Sequence, residues 1–467
     1  MDEKRVNGEV SAVSLETAAI AATRFGLGAR PGEIGRIARD PETWLRRQIN
    51  PDAVPGPAEG PSARESLIFL QNEYPALRRR LARDGADPEA LQRLVRDFVR
   101  EPRIAHIAWR TSAAVTTEAG FAERWVRFWS NHFSVSGNSL QTALIAPTLE
   151  AEVIRPSAFS RFEDLMIAAE LHPAMLFYLD QARSVGPNSR AGRVLDRGLN
   201  ENLAREILEL HTLGVDGGYG QGDVEALARI LTGWTVGSAR LRSPEDEIGR
   251  AVFDARLQEP GAHVLLGRRF AADGPDRARG ALAFLAGRPQ TARRLAFKLA
   301  RHFFADQPRP NDVAHIEAAW RRSGGDLAAV AEAVITAPSA FDPAGAKFKT
   351  PEEFLISSLR AVNAPAPNPR QLYGAYLALG QAPFSAPSPA GWSDTAEEWA
   401  SPDAVLKRLD FASSLAERVG RGAAPRERGP AVLGPRLSEA TAAAVARAET
   451  PEQGLTLLLM SPEFQRR

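Results

Sequence analysis

Residues 200–223 read NENLAREILELHTLGVDGGYGQGD, a helical pattern that runs into a glycine-rich loop. On a wheel of about 100° per residue, Leu203, Ala204, Ile207, Leu208, Leu210 and His211 share one arc. Asn202, Arg205, Glu206 and Glu209 share the opposite one, so the segment is amphipathic. Asn200 can cap its start, Glu201 suits the positive end of the helix dipole, and Gly214 can end it. One reading leaves the polar arc in water, with Arg205–Glu209 as an i,i+4 pair. The other covers it, so that the two carboxylates bind a cation or a sugar, or divide acid and base roles once burial separates their pKa values. His211 lies within the apolar arc and is expected in the core. The loop adds Asp216, Tyr219 and Asp223, and a divalent cation could sit near Asp216 and Asp223. Its spacing matches neither an EF-hand, a dinucleotide fingerprint nor a phosphate loop. Asp223 is expected to cap the following helix, which ends at Gly233.

The remainder of the 467-residue chain carries the same 3.6-residue period. It recurs in FAERWVRFWSNHF, FEDLMIAAELHPAMLFYLD, DVEALARILTGW, PQTARRLAFKLARHFF and DLAAVAEAVITAP. SLETAAIAATRF offers Ser14 as an N-cap. TPEEFLISSLRAV has Thr350 as N-cap, Pro351 at the first helical position and Glu353 closing a capping box. Strand signals are few: HVLLGRRF (263–270) can pair with RAVFDARL (250–257). The expected class is mainly α, a multi-helix globular bundle with at most a short β-hairpin. Pro/Gly-rich stretches at 53–63, 183–192, 363–370 and 420–437 read as surface loops. No break in composition divides the chain, so residues 1–467 are expected to form one large helical domain, with 416–467 as a C-terminal helical extension packed on it.

Hydrophobic residues make up 44% and charged residues 25%, with a formal net charge of +1. That balance gives no whole-molecule field favouring nucleic acid or an anionic membrane. There is no cysteine, which excludes disulfides, thiolate metal sites and a cysteine nucleophile. Only five residues are lysine, so the positive charge is almost entirely arginine. No stretch approaches the ~20 apolar residues of a membrane span. The first residues lack a leader's order of charge and apolar run. The expected location is therefore cytoplasmic, or periplasmic if a partner carries the protein out.

Phe121, Trp125, Phe128, Trp129 and His132 fall on one helical face. Such a stripe forms either core packing or the aromatic wall of a cleft, with His132 at its mouth and Asn131 beside it. Rings of that kind suit sugars and cations. Trp392 and Trp399 follow a proline-bounded loop, and either line an opening or clamp the loop to the body. The seven histidines show no strong metal spacing. Asp312-x-x-His315 supplies two ligands, which is not a site. No lysine follows a glycine, so a Walker A motif is excluded, and no Gly-x-Ser-x-Gly elbow occurs.

Several stretches together resemble the bacterial domain-of-unknown-function 1800 family. They are RFGLGARPGE, WVRFWSNHFSV, the block 200–234, EPGAHVLLGRRF, FKTPEEFLISSLRA and LGQAPFSAPSPAGW, in family order across roughly residues 20–415. The resemblance implies a mainly helical fold and a signature at Asn200, Glu201, Asn202, Arg205, Glu206 and Glu209. It extends this signature to Gly214, Tyr219, Arg229, Thr232, Gly233 and Trp234. Water does not demand an amide, a guanidinium and carboxylates in fixed places, so the signature favours a covered ridge over a solvated one. A buried polar network joining helices is the rival account. The resemblance also implies a sulfatase-like exported protein as partner, by gene neighbourhood.

Two functions follow as expectations. In one, an envelope enzyme or binding protein acts on carbohydrate or another polar polymer. It would be a hydrolase or lyase with Glu206, Glu209 and Arg205 as its chemical groups, and Asn202, Trp125, Trp129, His132 and Trp392 holding the substrate. In the other, a non-catalytic accessory protein serves the sulfatase-like partner, with block 200–234 as structural glue. No metal ligand set is expected.

Overall fold

The periodicity is realised almost wholly as helix. The computed structural model describes residues 12–56, 60–83, 88–194, 198–271, 273–344, 347–363 and 367–467. The expectations for the first eleven residues, and for the loop positions 57–59 and 364–366, lie outside the described residues.

Local signals of different strength give different outcomes. The capping box at Thr350 forms as read: Glu353 N donates to Thr350 Oγ1 (3.3 Å), and Thr350 N donates to Glu353 Oε2 (2.9 Å). Ser14 does not cap. The helix Ala12–Ile20 begins before it, and its hydroxyl reaches the carbonyl of Ala38 instead. The expected pairing of 250–257 with 263–270 is not made. Leu266 and Gly267 both have positive φ (49° and 78°), which suits a two-residue hairpin turn. His263–Leu265 therefore folds directly onto Arg268–Phe270, and Ala251–Phe253 pairs with Trp234–Val236.

One apolar core gathers around Trp125, Trp129, Phe25, Phe162, Leu295 and Phe303. A second surrounds Phe354, Leu359, Tyr376, Leu455 and Leu458. The helix Pro351–Val362 belongs to the second, while its first turn faces the helix Gly120–His132 of the first through the Arg124–Glu353 ion pair. In the C-terminal segment, helix Pro451–Leu459 packs on Pro402–Val419. The last residue exchanges backbone hydrogen bonds with Lys347 (3.0 and 2.9 Å). Among the described residues no helix is long and apolar enough to cross a membrane.

Candidate functional site

A cavity of about 460 Å³ opens between helix Gly120–His132, helix Pro289–Phe303, the start of helix Pro351–Val362 and the loop 381–395. Its lining holds six cations (Arg110, Arg124, Arg127, Arg294, Lys298 and Arg301) against three carboxylates (Glu352, Glu353 and Asp394).

The floor is a buried ion network. Arg155 bonds Glu123 (2.8 Å) and Glu150 (2.7 Å). Arg110 holds Glu150 (2.7 Å) and also pairs with Glu352. Arg127 joins Glu352 (2.6 Å) to Glu123 (3.1 Å). Burial alone would raise the Glu150 carboxyl, but Arg110 and Arg155 outweigh it and hold it far below the carboxylate range. Charges removed from water require such complete mutual satisfaction. Arg124 and Arg467 likewise share Glu353, Arg467 at 2.9 Å. The floor cations are thus spoken for.

The wall formed by helix Pro289–Phe303 is different. Arg294, Lys298 and Arg301 follow spacings of four and three residues, so they fall within about 60° of one another on the helix. None pairs with a carboxylate among the described residues. Arg301 donates Nε to the carbonyl of Asp306 (3.1 Å), and its guanidinium lies 4.6 Å from the Phe297 ring centre. Arg294 Nε is buried without a hydrogen-bond partner among the described residues. Lys298 Nζ contacts His132 Nδ1 at 2.8 Å. The carbonyl of His211 lies 3.3 Å from His132 Nε2. That carbonyl selects the tautomer protonated at Nε2, which leaves Nδ1 as the acceptor facing the lysine. Burial, reinforced by Arg294, brings the Lys298 ammonium down to about 7. Burial and then Lys298 keep His132 neutral, well below its ordinary value.

A second pair completes the lining. His302 Nδ1 stands 3.0 Å from Asp394 Oδ2, and His302 Nε2 is buried with no protein partner among the described residues. Burial opposes ionisation of Asp394, but His302, Lys347 and Arg467 prevail and hold it at about 2. The carboxylate therefore orients an imidazole, an arrangement suited to proton transfer.

The loop 381–395 is fastened by Asn131. Its side-chain amide donates to the carbonyl of Trp392 (2.9 Å) and accepts from Trp392 N (2.8 Å). Gly391, at φ +82°, permits this approach: a β-carbon there would lie 2.4 Å from the Asn131 carbonyl oxygen. Trp392 lines the cavity. Trp399 is the clamp, buried, with its indole N–H donated to the Ser393 carbonyl (2.9 Å).

The structure separates the residues singled out from sequence. His132 and Trp392 meet in the cavity. Trp125 and Trp129 are a correction: both are 0% exposed, and Trp125 donates its indole N–H to Ala158 (2.7 Å). They pack the core behind Phe128 and His132 and cannot stack a ligand. Asn202 is exposed, and Arg205, Glu206 and Glu209 are half-buried; none of the four lines the cavity. Arg205 pairs backward with Glu201 (3.1 Å) instead of forward with Glu209, and also donates to Gln221 (3.0 Å). The reason is a change of helix type. Asn202–Glu206 is α-helical, but Ile207–His211 forms a π turn, and its wider winding rotates Glu209 away. Burial raises the Glu206 carboxyl.

The other side of this segment does reach the cavity. Leu210 lines it, the His211 carbonyl meets His132, and Gly214 lies against Arg294. The His211 ring is fully buried, with Nδ1 2.6 Å from Glu170 Oε1. Asp223 accepts Gly220 N (3.0 Å) and Leu266 N (2.7 Å), so both its oxygens serve backbone groups. Asp216 is exposed. Among the described residues no three His, Asp or Glu side chains are grouped to hold a metal ion. The pair Asp312/His315 is dispersed: Asp312 accepts Ser339 N (2.9 Å), and His315 faces Thr336 (3.3 Å).

Arg294, Lys298, Arg301, His302 and Asp394 were not among the residues expected to form a site. One signal was present: Lys298 is one of five lysines, in a helix whose other cations are arginines at matching spacing.

A model of the family described as "Protein of unknown function (DUF1800)" matches residues 20–466. No curated protein and no solved structure matches the chain.

Proposed function

The chain belongs to the DUF1800 family, and on that premise, which brings no reaction with it, we propose that it binds an anionic, sugar-sized ligand in the cavity walled by Arg294, Lys298 and Arg301. The observation that carries this reading is the contrast between floor and wall. The floor arginines are neutralised by glutamates, whereas the three wall cations have no ion-paired carboxylate among the described residues and face a volume of about 460 Å³. Such a wall attracts sulfate, carboxylate or phosphate groups. Trp392 supplies a ring against which a sugar face can rest. The His302–Asp394 and Lys298–His132 pairs supply acid–base groups for hydrolase or lyase chemistry on the bound ligand. A sulfated or uronic oligosaccharide fits these requirements, and such a ligand would suit work beside a sulfatase-like partner in the cell envelope.

In this reading Glu206 and Glu209 act from outside the cavity, Glu209 as the first opposing charge felt by Arg294. A second reading makes block 200–234 purely a scaffold. It is favoured by Asp223, spent on two backbone N–H groups, and by Thr232, whose hydroxyl accepts Glu259 N (2.7 Å).

Calorimetric titration with sulfated, uronic and neutral oligosaccharides at two salt concentrations tests the proposal. Binding of the anionic ligands alone, weakened by salt and by Arg294→Ala or Arg301→Ala, is the expected result. Each replacement should cost ~1.5–3 kcal/mol, roughly tenfold to a hundredfold in affinity. Equal binding of neutral glycans, or none of any kind, would overturn it. Fractionation and co-purification with a sulfatase-like protein test location and partner.

A further inference from the structure

Lys298 differs from the other lysines whose contacts are described. Lys347 is held by Asp306 (2.6 Å) and Asp394 (3.5 Å). Lys349 bonds the Ser357 hydroxyl (3.0 Å) and covers the Phe464 ring. Lys407 is exposed and paired with Asp403 (2.6 Å). Lys298 has two arginines one helical turn away on either side, no ion-paired carboxylate among the described residues, and an imidazole nitrogen at 2.8 Å. Asp394, also in the lining, opposes the arginines without outweighing burial and Arg294. Three like charges on one short stretch of helix repel, and the amine is the only one that can shed its proton. It then presents a lone pair to a cavity whose neighbouring arginines are suited to hold an anion.

We infer that Lys298 Nζ is a nucleophile that condenses with a carbonyl compound carrying an anionic group, the anion seated by Arg294 and Arg301. This rests on the anion-site reading above and adds the reacting class: an aldehyde or ketone, such as an open-chain sugar acid or an oxo acid. In the step, the Nζ lone pair forms a bond to the carbonyl carbon, the C=O π pair moves to oxygen, and one nitrogen proton passes by way of His132 Nδ1 to that oxygen. The C–O bond then breaks as the nitrogen lone pair forms C=N, and the second nitrogen proton, carried by the same imidazole, leaves with the oxygen as water. The amine and carbonyl become an imine and one water, with no oxidant or reductant. The position of the Lys298 ammonium at about 7 is consistent with an amine free to react near neutrality.

Glyoxylate is the test carbonyl and glycolaldehyde its neutral counterpart. Each is incubated with the full-length protein and cyanoborohydride, which reduces the C=N bond to a stable secondary amine; intact mass and peptide mapping then locate the adduct. With five lysines in the chain the map is unambiguous. The expected result is glyoxylate labelling at Lys298 at least tenfold faster than at Lys407, slower with glycolaldehyde, suppressed by sodium sulfate and absent in Lys298→Arg. Circular dichroism of that variant verifies folding. If the variant fails to fold, sulfate protection of Lys298 in the wild type still decides. Sulfate binding without an adduct at Lys298 overturns the nucleophile and leaves the anion site standing. Labelling spread evenly over the lysines also overturns the nucleophile. Neither sulfate binding nor labelling overturns both.

Discussion

Gly214 makes room for Arg294: a β-carbon at Gly214 would lie 2.7 Å from Arg294 Nη1 and 3.0 Å from its Cδ. The glycine has φ +90°, a conformation that side chains rarely adopt. The end of the segment 200–214 thus shapes the cavity from behind, through a guanidinium supplied by another helix. Gly214→Ala should therefore lower stability by ~1–3 kcal/mol from backbone strain, and weaken sulfate binding as Arg294→Ala does. Thermal melts and a sulfate titration check both effects. Unchanged binding would detach the loop from the site.

The two kinds of tryptophan should separate cleanly. Trp125 is fully buried in the main core, so Trp125→Ala should cost ~3–5 kcal/mol in denaturant unfolding. Trp392 lines the cavity, so Trp392→Ala should reduce oligosaccharide affinity with a much smaller loss of stability. The reverse pattern would reassign the aromatic wall.

Glu150 binds Arg110 and Arg155, and its side chain is 1% exposed. Glu150→Gln leaves two buried guanidinium groups short of a charge, and should destabilise by ~3–5 kcal/mol. Removing Glu150 together with Arg110 should cost less than the sum of the single replacements, as measured by a double-mutant cycle in urea.

Stability should also depend on pH through Lys298. Its folded value of about 7 lies below the ordinary 10.5, so between these limits the unfolded chain binds more protons than the folded one. Stability from this group rises with pH across that window and is lowest below pH 7. The wild type should gain stability relative to Lys298→Met between pH 7 and 10, in parallel urea titrations. A difference that stays flat with pH would place the lysine in water.

What could be read from the chain was local. The Thr350 capping box, the mainly helical class and the amphipathic helix after Asn200 rest on contacts between residues three or four apart, which the helix repeat makes predictable. The π turn at Ile207–His211 was not readable, because packing against other helices decides it, and with it went the expected Arg205–Glu209 pair. The aromatic face of helix Gly120–His132 showed its period but not which rings met the core and which met the cavity. The cavity chemistry was the least legible. Lys298 lies 166 positions from His132, and Asp394 lies 92 from His302. Sequence alone established which stretches wind into helices and which side of each is apolar, because backbone hydrogen bonding and side-chain period are properties of neighbours. Tertiary structure alone decided which cations are neutralised by carboxylates in the floor and which, among the described residues, lack such a partner in the wall, because an ion pair depends on distances that only the packing of remote helices sets.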